Sequence, residues 1–400
     1  MADAAESKRS GFLTVPFFVV CVFYFLVFAA GYQLFPVVPL RLREFGASLA
    51  ESGRFQTAFM LGSGFGALVT GPLGDRLGPR RVLRVATLAV VGILIIYALL
   101  RVRWVFYLLA PLHGLLWSAL RTASVAKVGG ILPLAHRAQG LSIFGLTGPG
   151  GVAVGPLVGL WLMPHLGFSW MLVLLAGVFV ALHLLIGFLP REEPREIEVA
   201  SLFQWPDRSV WGGVAVMGLV GLSFGPMTPY SAQEAKALGM AWPAAFLTCF
   251  ALGMMAMRGV LALTGMGRRP VALMPGMAAL TALGYAMLAF LPGSDLARHL
   301  ASGLVYGAGY GMVHTLMLTH LMEVTPPQRR GAATGAFFFA FDAATALGSL
   351  GLGWVMQRGG FRWGWAIGAG LMTLCIPVTF RVVRRPAMPS APAPSVIVEG

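Results

Sequence analysis

Apolar residues fall in long blocks along this chain, broken by short segments where charged and turn-forming residues gather. A helix needs about 20 predominantly apolar residues to cross the hydrocarbon of a bilayer. Twelve blocks have that length, at approximately 13–39, 48–73, 81–100, 104–131, 137–163, 168–189, 210–230, 243–265, 270–291, 297–322, 330–356 and 362–382. They are numbered spans 1 to 12 in chain order. Each is predicted to be helical, because hydrocarbon offers backbone groups no other partner. Trp104, Trp170, Trp211, Trp242, Trp363 and Trp365 fall near predicted span ends, where an indole favours the interface. Trp117, deep in span 4, is the exception. The N-terminal decapeptide is polar and no cleavage site follows, so span 1 is expected to be an uncleaved anchor. The segment from Pro386 is rich in Pro, Ala and Ser and is expected to be disordered.

Composition agrees with this pattern. Of 400 residues, 57% are apolar and 11% charged, against roughly 25% charged in a soluble domain. A soluble fold so poor in charge would expose too much apolar surface. The net charge of +14 would suggest nucleic acid in a soluble protein. Here Lys and Arg sit in short loops, and they read as orientation signals, with no nucleic-acid partner expected. With the N-terminus inside, 17 of them lie in cytoplasmic segments and 9 in outer ones. That bias predicts both termini in the cytoplasm and a multi-pass protein of the plasma membrane.

Residues 191–208, REEPREIEVASLFQWPDR, form the longest internal polar stretch. They divide the chain into a cytoplasmic N-terminus (1–12), a six-helix bundle (13–190), a cytoplasmic central loop (191–208), a second six-helix bundle (209–385) and a tail (386–400). The halves repeat one plan. Span 1 carries Gly31-x4-Pro36-x2-Pro39 and span 7 carries Gly221-x4-Pro226-x2-Pro229, with Glu44 and Glu234 each five residues after the second proline. Gly114 precedes Pro133 by 19 residues and Gly307 precedes Pro326 by 19, with Arg137 and Arg330 four residues later. Paired six-helix halves with a site between them are a transporter architecture.

Residues 71–81 read GPLGDRLGPRR between spans 2 and 3. This resembles the signature loop of the major facilitator superfamily, G-x3-D-[RK]-x-G-R-[RK], at Gly71, Asp75, Arg76, Gly78 and Arg80. Pro79 stands where the family usually has Arg. The second half keeps Gly267, Arg268 and Arg269 but lacks the acid. The resemblance implies an all-α fold of two six-helix bundles around a central cavity lined by spans 1, 4, 7 and 10. It also implies that Asp75 meets the start of span 11 near Gly331, and from that place Asp75 is expected to latch the cytoplasmic gate. In span 5, Gly151, Gly155, Pro156 and Gly159 resemble motif C of the proton-coupled exporters, with Leu160 in place of the last Gly. The same stripe equally suits close helix packing of small residues.

A charge at mid-bilayer costs roughly 2.5–3.5 kcal/mol on insertion scales, so it needs a partner or a wet cavity. Arg121, Lys127, Arg258 and Asp342 are the candidates. Arg121 lies seven residues past Gly114, and His314 seven past Gly307, so the repeat sets them at equal depth. On the resemblance, both face the cavity, and two potential cations favour an anionic or zwitterionic ligand, or a partner such as Asp342. Asp342 lies about 16 Å into span 11 at 1.5 Å per residue. It reads either as a proton carrier or as a static ion-pair partner. Arg258 reads either as lining the cavity or as snorkelling to the cytoplasm, and Lys127 as snorkelling. Tyr32 and Gln33, before the Pro36 bend, are further polar candidates for the cavity.

Cys21, Cys249 and Cys375 lie in apolar runs without metal-ligand spacing. No metal or cofactor is expected. GAGYG at 307–311 and GSGFG at 62–66 lie within spans without a preceding strand, so they are not read as nucleotide loops. The chain lacks P-loop, HExxH and GxSxG motifs. It therefore reads as a secondary transporter rather than an enzyme. The expected activity is proton-coupled export of a small organic molecule by a monomer in the lipid bilayer. Proton-coupled import of an organic anion or other solute is the alternative, and a membrane sensor is a third.

Overall fold

The structure, a computed structural model, describes residues 13–100, 102–133, 136–191, 210–264, 270–325 and 330–383. Every predicted span meets a helix there. Span 1 is Val15–Glu44, span 2 Arg54–Leu77, span 3 Pro79–Leu99, span 4 Arg103–Ile131, span 5 Arg137–Leu166 and span 6 Phe168–Leu185. Span 7 is two helices, Trp211–Phe224 and Met227–Ala237. Span 8 is Ala245–Thr264, span 9 Met274–Phe290, span 10 Asp295–Val324, span 11 Arg330–Gly359 and span 12 Phe361–Val383. Spans 1, 3, 5, 6, 7, 11 and 12 are long and apolar enough to cross a membrane on length and composition alone. Spans 4 and 10, which carry Arg121, Lys127 and His314, fall outside that set.

The two sets of six pack by the same rule. Span 1 lies on span 5, span 2 on span 4 and span 3 on span 6; span 7 lies on span 11, span 8 on span 10 and span 9 on span 12. Between the sets, span 2 meets span 11 and span 5 meets span 8. The repeated glycines explain one of these matches. A Cβ on Gly114 would lie 1.8 Å from the Phe59 carbonyl oxygen, and one on Gly307 would lie 1.9 Å from that of Phe250. Only glycine lets span 4 approach span 2, and span 10 approach span 8, so closely.

The spans alternate in direction. The 2–3, 4–5, 6–7, 8–9 and 10–11 connections therefore share one face with the termini, here the termini face. The remaining connections form the opposite face. At the opposite face the two sets are tied together. Gln56 Nε2 donates to the Gly225 carbonyl (3.1 Å) and its Oε1 accepts from Thr228 (2.7 Å). Gln233 Nε2 donates to Ser52 Oγ (3.0 Å), and Ser349 Oγ donates to the Gly53 carbonyl (3.3 Å).

Sequence explains where this tie forms. Pro229 has no N–H, so the carbonyl four residues earlier, that of Gly225, loses its helical donor. Gln56 supplies the missing hydrogen bond from the other set of helices. Span 1 keeps one continuous helix through Pro36 and Pro39, whereas span 7 breaks at Gly225 and Pro226.

Candidate functional site

The central ionisable groups come together across the two sets. Asp342 of span 11 is 1% exposed. Its Oδ2 accepts hydrogen bonds from Ser63 Oγ of span 2 (2.7 Å) and from Arg121 of span 4 (3.2 Å). The buried carboxylate of one set is thus balanced by the cation of the other. Neither could stay ionised alone in this environment at modest cost. The Arg121 guanidinium also lies 4.2 Å from the centre of the Phe338 ring, a cation–π contact favoured by desolvation.

His314 packs among the same aromatic rings. Its ring centre lies 5.2 Å from Phe337, 5.4 Å from Phe341 and 6.2 Å from Phe338. Arg121 and His314, matched by the repeat, therefore both touch Phe338. Arg258 of span 8 donates to Thr315 Oγ1 at 2.8 Å, one residue from His314, while its buried Nε has no hydrogen-bond partner among the described residues. Among the described residues no carboxylate forms an ion pair with Arg258. The group Arg121, Arg258, Asp342 carries one cation more than it carries anions.

Tyr32 bounds this region from the opposite-face side. Its ring lies 6.4 Å from Trp117 and, across the two sets, 6.4 Å from Phe224. Phe224 in turn stacks on Tyr310 at 4.7 Å. Trp117 thus fills the centre rather than a boundary. Gln33 does not join the group. It is 4% exposed and packs on span 5, where a Cβ on Gly159 would lie 2.5 Å from its Cγ. The rest of the span 5 stripe works the same way. A Cβ on Gly151 would meet the Phe25 carbonyl at 2.4 Å, and one on Gly155 that of Ala29 at 2.2 Å. Gly151, Gly155 and Gly159 therefore bring span 5 against span 1.

In the 2–3 loop, Gly78 has φ +80°, a conformation that suits glycine and turns span 2 into span 3. Arg80 donates to the carbonyls of Ile186 (3.1 Å) and Gly187 (2.9 Å), tying span 3 to the end of span 6. Arg76 is exposed. The surroundings of Gly71, the Asp75 side chain and Gly331 lie outside the described residues. Lys127 is 3% exposed, and its Nζ donates at 2.5 Å to the carbonyl of Pro190, an exposed residue just past the end of span 6.

Sequence reasoning missed a second ionisable cluster. Glu234 stood out only as a repeat marker, yet it is buried against Trp365 and His299. The signal available was a lone carboxylate flanked by apolar and aromatic spans. A cavity of about 1050 Å³ lies elsewhere, at the opposite-face ends of spans 1 and 5 and the 7–8 connection, lined by Glu44, Trp161 and Trp242 among others. The buried charges at the centre form the candidate site.

Comparison with known proteins agrees with this architecture. The family model described as the Major Facilitator Superfamily matches residues 20–349 and 210–397. The staphylopine export protein of Staphylococcus aureus is 22% identical over 92% of this chain and 96% of its own length. The gallate transporter of Pseudomonas putida is 31% identical over 37% of this chain and 33% of its own length. Among solved structures, the human organic anion transporter MFSD10 superposes with a TM-score of 0.70 at 18% identity, covering 91% of this chain and 99% of that one. The nucleoside transporter NupG gives a TM-score of 0.68 at 14% identity, covering 92% and 99%. With twelve paired spans, an ion pair buried between their two sets and a family match along the chain, this protein belongs to the major facilitator superfamily.

Proposed function

We propose that this transporter exports a small organic molecule from the cytoplasm in exchange for protons, by rocking one six-helix bundle against the other. The observation that carries the reading is the Asp342–Arg121–Ser63 contact between the bundles. Protonating Asp342 cancels the charge that Arg121 balances, so the tie between spans 4 and 11 loosens when a proton binds. A buried pair broken on one side costs about 3–5 kcal/mol, enough to bias a two-state bundle strongly. The full-length similarity to a protein named for export supports the direction.

In this reading the termini face is cytoplasmic, on the Lys and Arg bias, in a plasma membrane. The opposite-face tie is then the closed outer gate. Residues 13–190 and 209–385 act as the two moving bundles, and the protein works as a monomer. Asp75 serves as the cytoplasmic latch, on the resemblance of its loop.

The test is uptake into inverted vesicles with an imposed proton gradient, using a compound found by thermal-shift screening of the purified protein. Wild type should accumulate it only when the gradient is present. Asp342→Asn should bind the compound and lose gradient-driven accumulation. Unchanged driven uptake by Asp342→Asn overturns the carrier role. A second reading, proton-coupled import of an organic anion, is favoured by Arg258, which lacks a carboxylate partner among the described residues. Accumulation from the outer face of right-side-out vesicles, and none in inverted ones, would select it.

A further inference from the structure

The second helix of span 7, Met227–Ala237, carries opposed contacts on adjacent residues. Thr228 and Gln233 reach across the opposite face to Gln56 and Ser52. Glu234 turns into its own bundle and is 6% exposed. Its Oε2 accepts from Trp365 Nε1 of span 12 at 2.8 Å and lies 3.4 Å from His299 Nε2 of span 10.

His299 is fully buried, and its Nδ1 lies 2.9 Å from the Asp295 carbonyl oxygen. A carbonyl oxygen can only accept, so Nδ1 must hold the ring hydrogen. Nε2 then bears a hydrogen only in the charged ring. Among the described residues no other group satisfies it. A neutral ring beside an ionised Glu234 would therefore set a lone pair against a carboxylate oxygen. One added proton removes the conflict. It gives either an imidazolium facing a carboxylate or a carboxylic acid donating to a neutral ring, and it belongs to the pair rather than to one partner.

The surrounding charges are few. From span 10, Arg298 lies 4.0 Å from Glu234 Oε1 and is itself held by Asp295 at 2.7 Å. From span 12, Arg362 lies 4.9 Å over the Phe290 ring. From span 9, Tyr285 stacks on Trp365 at 5.9 Å between ring centres. A recess of about 240 Å³, lined by Glu234, Arg298, Arg362 and residues 288–291, reaches the carboxylate from the surface.

We propose that Glu234 and His299 form a proton-binding site, loaded through this recess, that holds the second helix of span 7 in its closed position. The loaded pair binds that helix to spans 10 and 12. The unloaded pair repels and releases the helix that carries Thr228 and Gln233. Acid at the opposite face therefore favours closure there. The site is distinct from Asp342 and does not depend on that residue carrying protons.

The test places spin labels at two exposed opposite-face positions, Val102→Cys and Leu238→Cys. The full-length chain is used in lipid nanodiscs, with Cys21, Cys249 and Cys375 changed to Ala. The ratio of short to long label distances should rise on acidification, by up to about tenfold per pH unit, the slope of one proton. Glu234→Gln can accept from Trp365 and donate to Nε2 without titrating, so its distances should stay short from pH 5 to pH 9. His299→Gln should likewise lose the pH response, which covers the case in which one variant fails to fold. Asp342→Asn should keep the response, so failure here is separable from failure of the carrier role. A wild-type distribution that ignores pH, or a wild-type response in both Glu234→Gln and His299→Gln, overturns the proposal.

Discussion

Glu44 and Glu234 stand at the same place in the two repeats, yet they live in opposite surroundings. Glu44 pairs with Arg41 and its side chain is 47% exposed. Glu234 is buried and bound by Trp365. Their neighbours differ, and so do the helices that carry them: Glu44 ends one continuous helix, and Glu234 lies inside the second helix of a broken span. Eight residues before the matched glycines, span 10 carries His299 where span 4 carries Phe106. Seven residues after them, span 10 carries His314 where span 4 carries Arg121. The N-terminal bundle thus keeps its cation at the centre, and the C-terminal bundle keeps an ionisable pair at its rim. Helix packing constrains the backbone repeat, because glycines such as Gly114 and Gly307 admit no side chain. Polar positions are free to diverge once each finds a local partner.

The sharpest test of this contrast compares the matched residues at depth. Arg121→Ala strands a buried carboxylate and should cost about 3–5 kcal/mol, abolishing transport and lowering the unfolding temperature in detergent. His314→Ala removes ring packing alone and should cost only about 1 kcal/mol. Equal losses would break the claim that the two positions have diverged.

Backbone symmetry makes the opposite forecast. Gly114→Ala and Gly307→Ala should both destabilise, each by about 1–3 kcal/mol of overpacking, because each Cβ meets a carbonyl below 2 Å. Thermal unfolding of the two variants should shift by similar amounts. Tolerance in one bundle only would show that the repeat is looser there.

At the rim the expected effects shrink. Trp365→Phe leaves Glu234 without its indole donor and should cost about 1–3 kcal/mol, read in the same unfolding assay. Glu44→Gln removes a surface pair and should cost under about 1 kcal/mol, with transport unchanged. A large effect of Glu44→Gln would mean that the cleft it lines has a function of its own.

Much of the fold was legible because its rules are local. Each run of apolar residues near 20 long is helical, span 7 as two helices, and the Gly–Pro–Pro repeat marks spans 1 and 7 as counterparts. The glycine stripe of span 5 announced a close neighbour, and span 1 fills that role. Arg121 and Asp342 were visible as charges that could not stand alone. Their partnership with Ser63 was not, since those three residues lie on spans 4, 11 and 2. Gln33 looked like a cavity residue from its place in span 1, but helix rotation turns it onto Gly159. Lys127 looked long enough to reach a span end, and its partner there, the Pro190 carbonyl, lies just past span 6 and could not be named from the pattern.

Sequence alone determined that this chain crosses a membrane, in about twelve helices with two repeating sets, because hydrocarbon leaves the backbone no alternative. Only the tertiary structure decided which buried charges are paired, that Gln56 caps the carbonyl freed by Pro229, and that His299 meets Glu234. Those contacts depend on the rotation and depth of helices far apart in the chain, and no short-range pattern records either.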